Sequence, residues 1–384
     1  MKRMYLTDVL MGASVLICIV GLMAEPAAAA QASRDGIKLC LDVIVPSLFP
    51  FFVLSTLTVE LGLAGYLGKA LEGIMRPLFR LNGACSAAVV LGFVGGYPVG
   101  AKTAITLYEK GECTKTEAER LLSFCNNSGP AFILGAVGAG IFSNSAVGRL
   151  LYLAHAAASI TVGLIFRFYK YREPIGKGRV RNSRAASKLS KAFTLSVRSS
   201  FDTILGVCAF VIFFSVAIRM LYAMGILPML GGFFGNMLGI GAESAERLLT
   251  GIIEITSGLW TLQGISVDIA AKLAMAAFML GWAGLSVHCQ VLSFIGESGL
   301  SAWTYVAGKV LHGIISAAYV FVLLKVFDFK MPVSNYLLEQ VDDLSRLDFG
   351  STLSATLRVT AAISAALAVC AALLVIARRK KVIL

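Results

Sequence analysis

The sequence predicts an all-α polytopic membrane protein, built as two inverted-topology repeats with interrupted helices and re-entrant hairpins, plus peripheral N- and C-terminal spans. Three observations predict it. The 384 residues are 57% hydrophobic and only 15% charged, with a mean hydropathy of +0.80, whereas soluble domains carry about 25% charged residues. The net charge of +12 is held in three short segments. Sequence features also recur at a constant spacing of 160 residues. The composition alone excludes a soluble enzyme, a disordered scaffold and a secreted disulfide domain.

The elements follow in chain order. Residues 1–30 read as an N-terminal membrane span: Lys2 and Arg3, an apolar run from Val9 to Met23, then Ala27–Ala30. The same pattern also fits a cleaved signal peptide; in both readings the chain emerges outside near residue 30. Residues 36–169 form repeat 1, and 170–195 a basic linker. From Arg167 to Arg198 there are ten basic residues against one acid, Glu173. Residues 196–329 form repeat 2. The 330–352 loop, with Glu339, Asp342, Asp343 and Asp348, is acidic and is expected outside. Residues 353–384 give a last span and the tail Arg378–Lys381. The three basic segments contribute +2, +9 and +4 and leave the remainder at −3. Basic loops near span ends stay cytoplasmic, so the linker and both termini are expected inside. Topology thus accounts for the positive charge, and no nucleic-acid partner is expected.

The repeat rests on matched pairs: Asp42 with Asp202, Ser55 with Ser215, Gly65 with Gly225, and Gly148-Arg149-Leu150-Leu151 with Gly308-Lys309-Val310-Leu311. Repeat 1 begins outside and ends at the linker; repeat 2 begins at the linker and ends outside. Oppositely directed repeats are the pattern of secondary transporters, whose substrate sites lie where interrupted helices meet near the midplane. A retained duplication in a structural membrane protein remains the alternative.

Each repeat contains two interruptions. The run Ala84–Tyr108 is broken at Gly95-Gly96-Tyr97-Pro98-Val99-Gly100, followed by Lys102, because three glycines and a proline in six residues do not hold a regular helix. After a polar, mixed-charge loop from Glu109 to Arg120, Leu121–Phe142 is broken at Cys125-Asn126-Asn127-Ser128-Gly129-Pro130. There Ser128 or Gly129 is expected to cap a half-helix. Repeat 2 is broken at Glu254-Ile255-Thr256-Ser257-Gly258 and across Gly281–Gln290. Freed backbone groups at membrane depth survive only against protein or a polar cavity. The expected substrate-binding set is therefore Gly96, Tyr97, Pro98, Gly100, Lys102, Asn126, Asn127, Ser128, Gly129, Glu254, Thr256, Ser257, Ser286, His288 and Gln290. Lys102 at a helix end can instead snorkel to the interface. Glu254 can instead pair with Lys102 and hold the repeats together. His155 and His312, within apolar helices, read as structural.

Gly-Tyr-Pro-Val-Gly-Ala-Lys at 96–102 and Asn-Asn-Ser-Gly-Pro at 126–130 resemble the YlbJ-type sporulation integral membrane proteins. So do Pro46–Phe51, Arg76–Arg80 and, more loosely, Glu254 to Gly258. That family carries the nucleoside-recognition Gate domain, also found in concentrative nucleoside transporters. The resemblance covers about residues 36–330. A sporulation member of the family is implicated in moving dipicolinic acid towards the forespore, so the resemblance implies a planar aromatic dianion as substrate. A carboxylate would suit Lys102 and the half-helix start at Ser128–Pro130.

The function expected is secondary transport of a small anion, dipicolinic acid first. Nucleoside or other solute transport is the alternative of the same class, and a membrane subunit assembling a sporulation complex is the alternative from another. With no metal spacing, nucleophile motif or carboxylate pair, an enzyme is not expected. No metal or cofactor is expected; a coupling proton or sodium ion is compatible with the site. The expected partners are the lipid bilayer and the anionic substrate, with homo-oligomer formation left open. The expected location is a bacterial cell membrane, in particular the mother-cell-derived outer forespore membrane.

Overall fold

The computed structural model describes residues 9, 12, 16, 18–61, 64–176 and 189–326. The central linker from 177, the acidic loop at 330–352, the C-terminal span and tail, and most of the first span lie outside the described residues. Among the described residues regular structure is entirely helical.

Pro26 opens α1 (Pro26–Leu39), where its missing N–H costs nothing. A π-helical turn, Cys40–Ile44, joins it to α2 (Val45–Glu60). Next come α3 (Ala64–Phe79), α4 (Ser86–Gly95) and α5 (Val99–Glu109). The chain turns by 96° between Lys69–Phe79 and Gly83–Gly95. Asn82 accepts from Ala84 N–H at that corner (2.9 Å). Then follow α6 (Lys115–Leu122), a π-helix (Ala131–Ile141) and α7 (Ser145–Phe166). The second half comprises α8 (Leu189–Ala223), α9 (Ile226–Leu238), α10 (Ala242–Ile253), α11 (Ile255–Thr261), α12 (Ile269–Trp282), α13 (Gly284–Ser298) and α14 (Ala302–Val326). Long helix, short helix, two broken pairs and a final long helix thus occur twice in the same order.

Among the described residues, four helical stretches are long and apolar enough to cross a membrane: Ser145–Phe166, Leu189–Ala223, Ile269–Ser298 and Ala302–Val326. Only 28% of the apolar window of α8 is buried, against 56% for α7. The exposed Phe201, Leu205 and Phe213 of α8 therefore suit hydrocarbon. Helices in lipid associate by close packing rather than by apolar burial. A Cβ at Gly308 would lie 2.2 Å from the Ser123 carbonyl oxygen, and one at Gly281 would lie 2.6 Å from Gly313 Cα.

Two helix pairs run in opposite directions. The rod from residue 26 to 60 packs along α8, with Gly36 against Ile212 and the Cys40 thiol donating to the Cys208 carbonyl (3.8 Å). Ile44, Ile204, Val207 and Val211 form their shared core. The end of α7 and the start of α14 meet at Glu119. Its carboxylate accepts from Lys170 Nζ (2.9 Å), Tyr169 OH (3.1 Å) and Ser301 N–H (3.2 Å). That carboxylate also holds the Lys170 ammonium above its usual pKa.

The segment expected as a polar loop from Glu109 to Arg120 is instead in part the buried helix α6. Thr114 and Glu117 form a reciprocal capping box, and Glu117 also accepts from Asn82 N–H (2.8 Å) and Gly176 N–H (3.2 Å). Arg120, 1% exposed, donates to the carbonyls of Arg80, Tyr169 and Lys170. These bonds compensate the burial of both charges and tie α6 to the chain that leads into the basic linker.

Candidate functional site

Four breaks meet near the centre of the fold. The first, Gly96 to Pro98, separates α4 from α5. Gly96 has φ +77° and packs against Gly129, where a Cβ would approach the Gly129 nitrogen to 2.9 Å. Position 96 thus needs both a left-handed backbone and no side chain. The Tyr97 hydroxyl donates to the Leu280 carbonyl.

The second break, Ser123 to Pro130, precedes the π-helix. Asn126, Asn127 and Ser128 are buried. Ser128 N–H donates to His155 Nε2 (3.0 Å), and the Asn127 amide turns back to the Phe124 carbonyl (3.0 Å). The sequence leads one to expect a capped α-helix here. Instead the helix is π-helical and begins after Pro130 without a side-chain cap. The His155 ring serves the freed Ser128 amide, and the His312 ring in turn donates to the His155 carbonyl (2.9 Å).

The third break is the single extended residue Glu254 (φ −143°, ψ 119°). Its buried carboxylate accepts from Thr256 N–H (3.0 Å), Ser257 N–H (2.7 Å) and Ser257 Oγ (2.7 Å). It thereby caps α11 with a charge. The fourth break is Ala283–Gly284, both at positive φ. Gly284 packs on Ile255 as Gly96 packs on Gly129, with the same 2.9 Å limit to a backbone nitrogen. In each half, therefore, the two breaks cross each other.

One cavity lies between them. Gly96, Tyr97, Ser128, Gly129, Glu254, Thr256, Ser286 and Gln290 line it, with Ile44, Leu48, Phe132, Val207, Val211, Ile255 and Val287 as apolar walls. Eight of the expected residues are thus brought together. Two others, Pro98 and Lys102, line a second, polar pocket with Ser55, Glu60, Thr106, Ser199 and Thr203. Lys102 stands one turn past the break and donates to Thr203 Oγ1 (2.6 Å) and Ser199 Oγ (3.3 Å). It makes no ion pair with Glu254, whose carboxylate serves α11.

The remaining five shape the breaks instead of lining either pocket. Gly100 packs on the Cys125 carbonyl, and Ser257 completes the Glu254 cap. Asn126 offers its carbonyl to Lys309 Nζ (3.0 Å), and Asn127 bonds back within its own break. His288 is held between the rings of Trp282 and Tyr305, with centroids at 4.2 and 5.3 Å. The apolar walls from α2 and α8 and the buried Lys309 were not anticipated. The Gly308-Lys309 pair was visible as a repeat marker; a charge inside an apolar helix was the signal that marked it as more.

Broken helices crossing around a cavity, within long apolar helices, define a polytopic membrane protein of transporter-like construction. A family described as Gate, nucleoside recognition, matches residues 41–164. The sporulation integral membrane protein YlbJ of Bacillus subtilis strain 168 is 32% identical over 340 residues, 83% of each chain. This chain belongs to the family of YlbJ. An uncharacterized protein of Alkalihalophilus pseudofirmus is 39% identical over 79 residues, 20% of this chain and 17% of that one. Among solved structures, an outward-facing variant of CNTnw, a concentrative nucleoside transporter, superposes with a TM-score of 0.50 at 14% identity, covering 85% of this chain and 87% of that one. Its inward-facing, substrate-bound form gives 0.49 at 14% identity, covering 80% and 86%.

Proposed function

We propose that this protein is a secondary transporter of a small planar anion, dipicolinate during sporulation, working by alternating access between two oppositely oriented repeats, about 36–169 and 196–329. The observation that carries the reading is the meeting of all four breaks in one cavity. The opposed courses of the 26–60 rod and α8, and of α7 and α14, support the inverted arrangement. Phe132, Val207 and Val211 offer flat apolar walls for an aromatic ring. Ser128, Ser286, Thr256 and Gln290 offer donors for its carboxylates.

Lys102 lines the adjacent pocket and captures the anion on the linker side. Since Glu254 also lines the cavity, an anion entering there travels with a cation, H+ or Na+. The membrane is the outer forespore membrane, with both termini cytoplasmic. Nucleoside transport is the second reading, favoured by the description of the Gate family.

Proteoliposome uptake of labelled dipicolinate and labelled uridine tests the proposal. Wild-type protein accumulates dipicolinate, and Lys102→Ala lowers that uptake by about tenfold or more at an unchanged protein level. Normal uptake by Lys102→Ala removes the binding role from that residue. Uptake of uridine but not dipicolinate overturns the substrate.

A further inference from the structure

Lys309 is a buried lysine that the two pockets leave unexplained. It stands in the third turn of α14 and is 1% exposed. Its ammonium has three N–H donors, and the one hydrogen bond found goes to the Asn126 carbonyl in the second break. No carboxylate pairs with it: the four ion pairs among the described residues join other side chains, and Glu254 is engaged by α11. Its other close partner is the ring of Tyr97, whose centroid lies 5.1 Å from Nζ, a favourable distance for a cation–π contact.

Tyr97 itself lines the central cavity. That cavity also presents the hydroxyls of Ser128 and Ser286. Both residues are 1% exposed, and neither hydroxyl has a hydrogen-bond partner. An uncompensated ammonium within a membrane protein is costly, and so are unused buried hydroxyls. One ligand group relieves both costs: an anion seated on the two serines beside Tyr97.

The geometry points to Lys309 as the fixed positive charge of the central cavity, with an anionic group of the substrate as its missing counter-ion. Lys309 selects charged over neutral ligands through its field and through the Tyr97 ring, and Lys102 attracts the anion in the neighbouring pocket. The inference rests on the cavity being a substrate site. It deepens that reading by assigning the source of charge selectivity.

Two matched ligand pairs test it by calorimetry on the purified full-length protein: dipicolinate with its neutral diamide, and uridine 5′-monophosphate with uridine. Wild-type protein binds the charged member of the accepted pair about tenfold or more tightly than the neutral one. Lys309→Gln keeps a donor for the Asn126 carbonyl but lacks the charge. It is expected to lose the preference while its affinity for the neutral member stays unchanged; Lys309→Arg retains the preference. Equal loss of both members in Lys309→Gln, with normal folding, would make the residue only a staple of the break and overturn the inference. So would an intact preference in that variant, or a wild type that binds neither pair or prefers the neutral member. Binding of the uridine pair but not the dipicolinate pair overturns the substrate proposal alone, and the Lys309 assignment is then read from uridine 5′-monophosphate against uridine.

Discussion

Gly100→Ala is expected to disrupt the protein severely, as is the same change at Gly92. A Cβ at position 100 would lie 1.9 Å from the Cys125 carbonyl oxygen and 3.0 Å from Gly92 Cα. Gly92 faces the same carbonyl oxygen at the same 1.9 Å, so the α4–α5 hairpin clasps the second break between two glycines. The atoms in the way are backbone on both sides and have no rotamer to escape into. Overpacking costs about 1–3 kcal/mol and occasionally more, and this site belongs at or above the upper end. The variant should give little monodisperse protein in detergent, with a large fall in melting temperature. Gly206→Ala serves as control: nothing lies within 4 Å of its Cβ position in α8, and alanine is favoured in a helix by about 1 kcal/mol. A Gly100→Ala protein that melts like wild type would show that the clasp is loose.

The second large effect is expected at Glu254. Replacement by Ala removes the acceptor for two backbone N–H groups and one hydroxyl at a break where water is scarce. Each buried donor left unsatisfied costs about 1–3 kcal/mol, so α11 should lose its start and the cavity its shape. Transport by Glu254→Ala should fall below a tenth of wild type, with a lowered melting temperature. Glu254→Gln keeps an acceptor oxygen and should recover most of the stability. Measuring melting temperature and uptake together on both variants checks this; wild-type stability in Glu254→Ala would contradict the capping role.

Much of this architecture was legible in the sequence because breaks are local. Glycine and proline clusters at 95–100 and 126–130 announce non-helical backbone wherever they fall in an apolar run. The 160-residue offset aligned the long helices that close each half. What the sequence withheld was direction. Lys102 and Glu254 were both readable as intramembrane charges, but only the three-dimensional path of α5 shows that Lys102 points at Ser199 and Thr203 of α8. Asn126 and Asn127 were read as ligands from their side chains, whereas the backbone carbonyl of Asn126 holds Lys309. The π-helix after Pro130 had no distinctive composition. The bond from Ser128 N–H to His155 in the break before it is tertiary, and no local pattern encodes it.

Alternating access requires that the four breaks enclose one substrate cavity open to each side of the membrane in turn. Cysteine labelling at Ser286 tests it most directly. In a background with Cys18 and Cys289, the exposed described cysteines, replaced by Ser, Ser286→Cys is treated with a membrane-impermeant maleimide in vesicles of each orientation, with and without dipicolinate. Labelling from both faces is expected, with protection by dipicolinate on both. Labelling from one face only, at a rate that dipicolinate does not change, would contradict it.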